Sequence, residues 1–260
     1  MELEASLGKK LFVRGKRRIT LTNEGMLLRK RAEEIVSLVE KTAAELQAPE
    51  EAVGGDIYFG AGETDAMRLI AQVLKELQDA YPNIRCHLFS GNADDVTERL
   101  DKGLLDFGLL IEYPHIQKYN SIRLPAADVW GVLMRKDSPL AALEKIRPDD
   151  LADMPLIVSK QALESRELSA WFKKDLETLN VRMTYNLIYN ASLMVQEGLG
   201  CALCLDKLLS SRADDSLCFR PLEPKLEAGL FIVRKKYQIF SKAAELFLQK
   251  IEEAFPAGTV

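Results

Sequence analysis

The sequence has no long hydrophobic run and no secretory leader. No segment approaches the roughly 18 consecutive apolar residues that a membrane helix needs. The N-terminus also lacks the apolar stretch and small-residue cleavage site of a signal peptide. With 47% hydrophobic and 28% charged residues, the composition is that of an ordinary soluble protein. These features argue against a membrane partner and predict a cytoplasmic location.

Histidine and cysteine are scarce, with two and four residues among 260. Cys201 and Cys204 form a C-x-x-C, which could be half of a zinc site or a redox pair. A second C-x-x-C is absent, and GCALCL is typical of a buried strand, on which positions three apart face opposite sides. We therefore expect reduced, structural cysteines, including Cys86 and Cys218, and neither a metal nor another cofactor.

The common catalytic motifs are also missing. There is no G-x-S-x-G, no H-E-x-x-H and no phosphate-binding loop ending in Gly-Lys-Ser/Thr. Ser6–Lys9 matches S-x-x-K but has no companion motif, and neither His87 nor His115 has an obvious carboxylate partner. Gly60–Ala66 (GAGETDA) fails as a dinucleotide fingerprint because Asp65 stands at the third glycine position. We predict that the chain is not an enzyme.

Basic residues are concentrated at the front of the chain. Residues 1–31 hold nine Lys or Arg against three Glu, a net of +6, whereas residues 32–260 carry a net of −10. The β-prone runs KLFVRG and RRITLT flank a basic tip and predict a small hairpin. A solvated charge cluster is the alternative, but an ordered cationic tip suits contact with DNA phosphates. The candidate contacts are Arg14, Lys16, Arg17 and Arg18.

A long helix is predicted from Glu24 to Gln47, with Thr22 or Asn23 as its cap. Its apolar residues recur at spacings of four and three, which is the pattern of a coiled-coil seam. The seam comprises Leu28, Ala32, Ile35, Val39 and Leu46, interrupted by the polar Thr42. Packing on its own domain is the alternative, but a single stripe on an otherwise polar helix favours a partner helix.

After a Pro- and Gly-bearing break at residues 48–54, predicted strands alternate with predicted helices. This alternation is typical of an α/β protein with largely parallel sheets. A segment of about 200 residues can form two small lobes with a cleft between them.

Polar residues follow several predicted strands where helices begin. Helix N–H groups and nearby hydroxyls can bind a small polar ligand there, although each residue alone could be a helix cap or part of a solvated loop. Turns after neighbouring parallel strands open on the same sheet edge, which favours a ligand. The candidate contacts are Thr64, Asn92, Ser159, Lys160, Gln161, Asn190 and Ser192. Lys160 and Arg166 suggest a carboxylate ligand, whereas Glu63 and Asp65 argue against a highly anionic one.

Three segments together resemble LysR-type transcriptional regulators. LEASLGKKLFVRGKRRITLTNEG resembles the end of that family's winged helix-turn-helix, SLMVQEGLGCALCL its effector-domain signature, and DSPLA its charged-x-Pro-Leu-Ala segment. The resemblance covers essentially the whole chain. It implies an α/β fold in which a winged helix-turn-helix remnant and a long linker helix precede a two-lobed effector domain of the periplasmic-binding-protein type.

The resemblance also implies a domain plan. Residues 1–22 would be the end of the recognition helix and the wing, 23–47 a dimerisation helix, 48–54 a linker, and 55–260 the effector domain. The first lobe would comprise about 55–135 and 229–255 and the second about 136–228. Crossings near Arg135 and Ala228 would act as the hinge.

By the same resemblance, a small-molecule effector binds between the lobes, at the turns named above. Met1 falls inside what would be the recognition helix, so most base-reading positions are expected to be missing. The wing would then give weak, salt-sensitive DNA affinity with little sequence choice. We expect a LysR-type regulator that forms a homodimer or homotetramer. One alternative is a stand-alone module that binds a small molecule or interacts with an intact regulator and has no specific DNA binding. Another is an enzyme on the same architecture.

Overall fold

The computed structural model describes residues 2–15, 18–47, 54–112, 115–208 and 216–256. The chain divides into two compact units, residues 1–51 and 52–260, and this division falls within the segment predicted as a linker. Over the described ranges, no helix combines the length and the apolar character that crossing a membrane requires.

The first unit contains a helix, a hairpin and a long helix. These are α1 (Glu2–Leu7), β1 (Phe12–Arg14), β2 (Ile19–Leu21) and α2 (Asn23–Gln47). β1 and β2 pair antiparallel, and the Gly15 N–H donates to the Arg18 carbonyl at 2.9 Å where the hairpin turns. The hairpin and the long helix therefore form as predicted. Lys16 and Arg17 lie outside the described residues.

Thr22 is the residue that caps α2. Its Oγ1 accepts a hydrogen bond from the Gly25 N–H at 3.0 Å and donates to the Lys10 carbonyl at 2.7 Å. A Cβ on Gly25 would lie 2.1 Å from the carbonyl oxygen of Leu11. Glycine at this position thus allows the start of α2 to approach the chain that enters β1.

The second unit is a mixed α/β structure. Its strands are β3 (Gly54–Ala61), β4 (Asn83–Ser90), β5 (Phe107–Ile111), β6 (Tyr119–Arg135), β7 (Leu156–Ser159), β8 (Val181–Tyr185), β9 (Cys201–Leu205), β10 (Leu217–Pro221) and β11 (Glu227–Lys235). Its helices are α3 (Met67–Ala80), α4 (Ala93–Asp101), α5 (Lys160–Leu163), α6 (Arg166–Phe172), α7 (Ile188–Gln196) and α8 (Lys242–Ala254).

These strands hydrogen-bond in the order β4-β3-β5-β11-β6-β9-β7-β8, with β10 also paired to β6. We call the part that holds β3, β4 and β5 the first lobe, and the part that holds β7, β8, β9 and β10 the second lobe. Pairing is parallel among β3, β4 and β5 and among β7, β8 and β9, but every pairing of β6 or β11 is antiparallel. The expectation of largely parallel sheets was therefore incomplete, because the two strands that connect the lobes run against their neighbours.

The long strand β6 serves both lobes. It pairs with β11 between Tyr119 and Val129, and with β9 and β10 between Trp130 and Arg135. The chain thus enters the second lobe after Val129, earlier than the crossing predicted near Arg135. The continuous apolar run VWGVLM carries no turn signal at this transition, so the sequence pattern could not locate it.

Helices cover both faces of each part of the sheet. In the first lobe, α3 and α8 pack on one face and α4 on the other. In the second lobe, Cys201 packs in the cluster that contains α6 residues, whereas Cys204 packs in the cluster with α7. The two sulfurs therefore face opposite sides of β9, as predicted. Burial raises the pKa of the Cys201 thiol to about 11 and that of Cys204 to about 12.

Candidate functional site

Thr64 lies in the turn after β3 and is buried. Its Oγ1 accepts a hydrogen bond from the Ala66 N–H at 3.1 Å, and its hydroxyl lies near enough to the Asp128 carboxyl on β6 to favour the ionised form of that group. α3 begins at Met67 rather than at Thr64, so this threonine does not cap the helix. Its side chain instead stabilises the turn beside the strand that crosses between the lobes.

Asp128 is a charged residue that is buried on the crossing strand β6. The residue is 3% exposed, and its Oδ2 has no hydrogen-bond partner in the described part of the chain. Burial raises the pKa of Asp128, and the nearby charge of Asp206 acts in the same direction, whereas the Thr64 hydroxyl and the charge of Lys207 oppose the shift. Asp206 and Lys207 follow β9, so groups from both lobes surround this carboxyl.

Glu63 joins the two lobes directly. Its Oε2 accepts a hydrogen bond from the backbone N–H of Ile188, the first residue of α7. The residue before it, Leu187, offers no side-chain cap, so a carboxylate from the first lobe satisfies a free N–H at the start of this helix. Glu63 also lies close enough to Tyr185, at the end of β8, to raise the pKa of that buried phenol, although burial is the larger cause.

Asn92 is placed as predicted but its side chain is occupied. Its Oδ1 accepts from the Asp95 N–H at 2.9 Å, and Asp95 accepts from the Asn92 N–H at 3.2 Å, which is a capping box at the start of α4. The Gly91 N–H donates to the Ala61 carbonyl at 3.0 Å. The turns after β3 and β4 therefore adjoin at one sheet edge, as predicted, while the Asn92 amide stabilises its own helix.

Of the ligand contacts predicted in the second lobe, one is a helix cap and the others lie within helices. Ser159 caps α5 by accepting from the Ala162 N–H at 3.0 Å, and the exposed Lys160 and Gln161 are the first residues of that helix. Asn190 and Ser192 lie inside α7, not in a strand-to-helix turn, because α7 begins at Ile188.

The two α7 residues differ in their surroundings. Asn190 is exposed, whereas Ser192 is buried and its hydroxyl donates to the Tyr189 carbonyl at 2.7 Å. The sequence does not signal this helix start, because Leu187 at the cap position supplies no side-chain hydrogen bond. The cap comes instead from Glu63, far away in sequence.

Glu112, at the end of β5, is a further acidic residue near the crossing strands. Its φ of 44° is in the left-handed region, and its N–H donates to the Gly229 carbonyl at 2.9 Å. Burial and the charge of Glu167 raise the pKa of its carboxyl. The backbone of this turn thus bonds directly to β11.

His87 does have a carboxylate partner, contrary to the sequence-based expectation. Its Nε2 lies 3.0 Å from Asp56, and Arg85 contacts the same carboxylate at 2.8 Å. The His87 ring stacks on Tyr58, with centroids 4.9 Å apart. Parallel pairing of β3 with β4 brings these residues together at the edge of the sheet, which sequence spacing alone does not reveal. The cluster is distant in the sheet order from the crossing strands.

Sequence reasoning missed the roles of Glu63, Glu112 and Asp128. One signal was present: Asp128 is the single charged residue in the otherwise apolar run from Leu124 to Met134. A lone charge in a buried strand requires a partner or a function. For Glu63 and Glu112 the sequence offers no comparable signal.

A mixed sheet with two lobes, two crossing strands and polar turns between the lobes defines the periplasmic-binding-protein-like class of domain. A family model described as the LysR substrate binding domain matches residues 50–256. The chain belongs to the LysR family of transcriptional regulators and carries its substrate-binding domain. Membership confirms the resemblance seen in the sequence and the prediction of a regulator rather than an enzyme.

Relatives and solved structures extend the match over nearly the full chain. An uncharacterized HTH-type transcriptional regulator of Bacillus subtilis, YvbU, is 27% identical over 98% of this chain and 87% of its own length. The crystal structure of CbnR, a LysR family regulator, superposes with a TM-score of 0.72 at 15% identity, covering 98% of this chain and 86% of CbnR. The effector binding domain of QuiR, in complex with shikimate, gives a TM-score of 0.67 at 16% identity and covers 80% of this chain and all of that domain.

Proposed function

We propose that the second unit senses a small molecule bound between its lobes, and that the chain works in the cytoplasm as a ligand-responsive LysR-type regulator. The observation that carries the proposal is the meeting of Glu63, Thr64 and Asp128 with Asp206 and Ile188 at the crossing strands. Polar groups from both lobes converge there, so a ligand at this position would change the relative stability of open and closed arrangements.

The comparison with QuiR supports a ligand-binding role for the second unit. That effector domain shares the fold and is described as a complex with shikimate. At 16% identity the similarity carries over the architecture and not the ligand. The candidate contacts on this chain are therefore argued from its own side chains. Thr64 is the strongest of them, since it is buried at the crossing and its hydroxyl can accept a further hydrogen bond.

The long helix supports assembly into a homodimer or homotetramer. Ile35 and Val39 are both 62% exposed on α2, and Leu46 is also exposed. Leu28 is half-buried and Ala32 is exposed, so the predicted seam lies open along the helix. A second α2 packed on this seam would bury these side chains, which is the expected role of a coiled-coil stripe.

The hairpin supports contact with DNA. Arg18 is exposed beside the turn, and the backbone of Arg14 ends β1 at the same tip. Together with Lys16 and Arg17, which follow in the sequence, these residues would supply four cations to DNA phosphates and give salt-sensitive affinity. Gel shifts with duplex DNA from upstream of the gene test this DNA contact. They would be run at about 50 and about 200 mM salt, which lie below and above physiological ionic strength. Specific binding at the higher salt supports a DNA-reading regulator, and its absence supports a stand-alone ligand-binding module.

The cleft is tested with one isosteric substitution and a matched control. Thr64→Val removes the hydroxyl at the crossing, whereas Thr97→Val removes a buried hydroxyl that donates to the Ala93 carbonyl within α4. Compounds that stabilise the wild-type chain in a metabolite panel would be measured by calorimetry on both variants. We expect Thr64→Val to weaken the best compound by about tenfold or more, since a lost buried hydrogen bond costs about 1.4 kcal/mol.

The outcome for Thr97→Val completes the test. Unchanged affinity in this variant, together with a loss in Thr64→Val, places the ligand at the crossing strands. Equal affinity of both variants and the wild type would remove the crossing strands as the binding site.

A further inference from the structure

We propose that the molecule bound between the lobes carries a protonated amine, and that Asp128 receives it. This inference rests on the proposed function, because it assigns a chemical class to the ligand of the same cleft. It stands on the unpartnered oxygen of a deeply buried carboxyl and on the excess of negative charge around that carboxyl.

The first observation is the environment of Asp128 itself. The residue is 3% exposed, yet its Oδ2 has no hydrogen-bond partner within the described ranges. Buried carboxylates are stable only when paired and hydrogen-bonded. The nearby Thr64 hydroxyl favours the ionised form of Asp128 but does not bond to Oδ2. This oxygen is an acceptor that requires a donor, and an ammonium group is the strongest small donor that also carries the opposite charge.

The second observation is the charge around this oxygen. The acidic residues near the crossing strands are Glu63, Asp65, Glu112, Asp128 and Asp206. The basic residues that pair with this group each contact a carboxylate of their own: Arg68 lies 2.7 Å from Asp65, and Lys207 lies 3.3 Å from Asp206. A cationic ligand would therefore be attracted by the local field, whereas a dianion would meet repulsion.

The third observation concerns the position at which a carboxylate ligand would bind. The N-terminus of α7 is a favourable position for an anion, but the Glu63 carboxylate already accepts from its first N–H. Lys160, which suggested a carboxylate ligand, is exposed at the start of α5, in the second lobe. Near the crossing strands, Asp128 Oδ2 thus has no donor, whereas the anion position at the start of α7 is already occupied by Glu63. This arrangement favours an amine over a carboxylate as the ligand.

A set of four-carbon compounds of matched length tests the chemical class. Butane-1,4-diamine and 4-aminobutanoate carry an ammonium group, whereas butane-1,4-diol and butanedioate do not, and the three- and five-carbon homologues extend the range. Binding to the full chain would be measured by calorimetry and by thermal shift. We expect binding from members with an ammonium group, and at least tenfold weaker or no binding from the diols and dicarboxylates.

Asp128→Asn tests the residue, with Asp106→Asn as its control. Asp106 is also 3% exposed, but its carboxylate accepts from the Tyr58 N–H at 2.8 Å in the first lobe. We expect Asp128→Asn to lower amine affinity at least tenfold while the ligand-free protein melts no lower than the wild type, because an uncompensated buried charge is removed. A purely structural role for Asp128 would instead lower the melting temperature without ligand.

The outcomes separate this inference from the proposed function. If butanedioate or butane-1,4-diol binds and Thr64→Val abolishes that binding, the cleft is the ligand site but the amine assignment is wrong. If amines bind equally to the wild type, Asp128→Asn and Thr64→Val, both proposals are overturned. Failure of every amine in the series to bind also overturns the assignment to a small amine.

Discussion

The carboxylate of Glu63, in the first lobe, accepts a hydrogen bond from the backbone N–H of Ile188, in the second. A helix start that lacks its own cap is thus completed by a residue distant in sequence. Because this hydrogen bond joins the two lobes, it couples their relative position to the Glu63 carboxylate.

Glu63→Ala should weaken this connection. We expect faster amide hydrogen exchange at Ile188 and a loss of about 1 kcal/mol in the free energy of unfolding, the usual cost of removing a helix cap. Asp65→Ala is the control, because Asp65 lies in the same turn but pairs with Arg68 in its own lobe. Equal exchange at Ile188 in both variants would contradict a specific role for Glu63.

Gly131→Ala should destabilise the second lobe. A Cβ at this position of β6 would lie 2.5 Å from the Arg220 carbonyl and 2.1 Å from the Phe219 ring on β10. The ring can rotate but the carbonyl belongs to the sheet, so we expect a loss of about 1–3 kcal/mol in urea denaturation. Gly62→Ala, where the nearest atom would be 3.4 Å away, should cost much less. A larger loss for Gly62→Ala would refute this explanation.

The contribution of Asp56 to stability should depend on pH. Burial raises the pKa of Asp56, but hydrogen bonds from Arg85 and His87 and their charges outweigh this and lower it below 3.8. Its carboxylate therefore stabilises the fold above pH 3.8, and that contribution disappears as the pH falls through the lowered value.

Asp56→Asn should accordingly melt lower than the wild type at pH 7, with a difference that shrinks below pH 3.8. Thermal unfolding followed by circular dichroism across this range measures the effect. Asp79→Asn, which removes an exposed pair with Lys75, serves as the control and should change the melting temperature less. A difference at Asp56 that stays constant with pH would show that ionisation is not its source.

The cysteines should differ in reactivity. Burial raises the pKa of the Cys86 thiol to about 11, and Cys201 and Cys204 are also raised, so few thiolates form at neutral pH. We expect a thiol reagent to modify Cys218 first in the native protein, and all four cysteines after denaturation. Cys218→Ser should remove the fast phase, and a fast phase that persists in this variant would contradict the assignment.

The dimerisation seam can be tested on neighbouring residues. Ile35→Asp places a carboxylate on the predicted stripe, whereas Val36→Asp places it beside the stripe, and both positions are more than half exposed. We expect Ile35→Asp to raise the dimer dissociation constant at least about tenfold, since burying an unpaired charge costs more than about 1.4 kcal/mol. Sedimentation measures both, and equal effects would place the contact elsewhere on α2.

Local patterns predicted much of this fold correctly. Thr22, one of the two caps predicted from the sequence, does cap α2. The alternation of strands and helices was also predicted, since each strand core from β3 to β11 lies in a continuous apolar or alternating run. The first half of β6, before Trp130, carries no such signal because its residues mix polar and apolar types without a clear period.

The candidate site was predicted less completely. Turns after neighbouring strands do adjoin, yet Asn92 and Ser159 use their side chains as helix caps and Ser192 bonds within α7. Asp128 was overlooked because its burial results from two strands crossing between the lobes. A pattern that reports only local periodicity does not contain that information.

The sequence by itself determined the family, the order of helices and strands, and the opposite facing of Cys201 and Cys204, because each depends on local composition and spacing. Tertiary structure alone decided that Glu63 completes α7 and that an oxygen of Asp128 is buried without a partner. Both depend on contacts between segments far apart in the chain, where burial and unsatisfied hydrogen bonds, rather than residue type, set the chemistry.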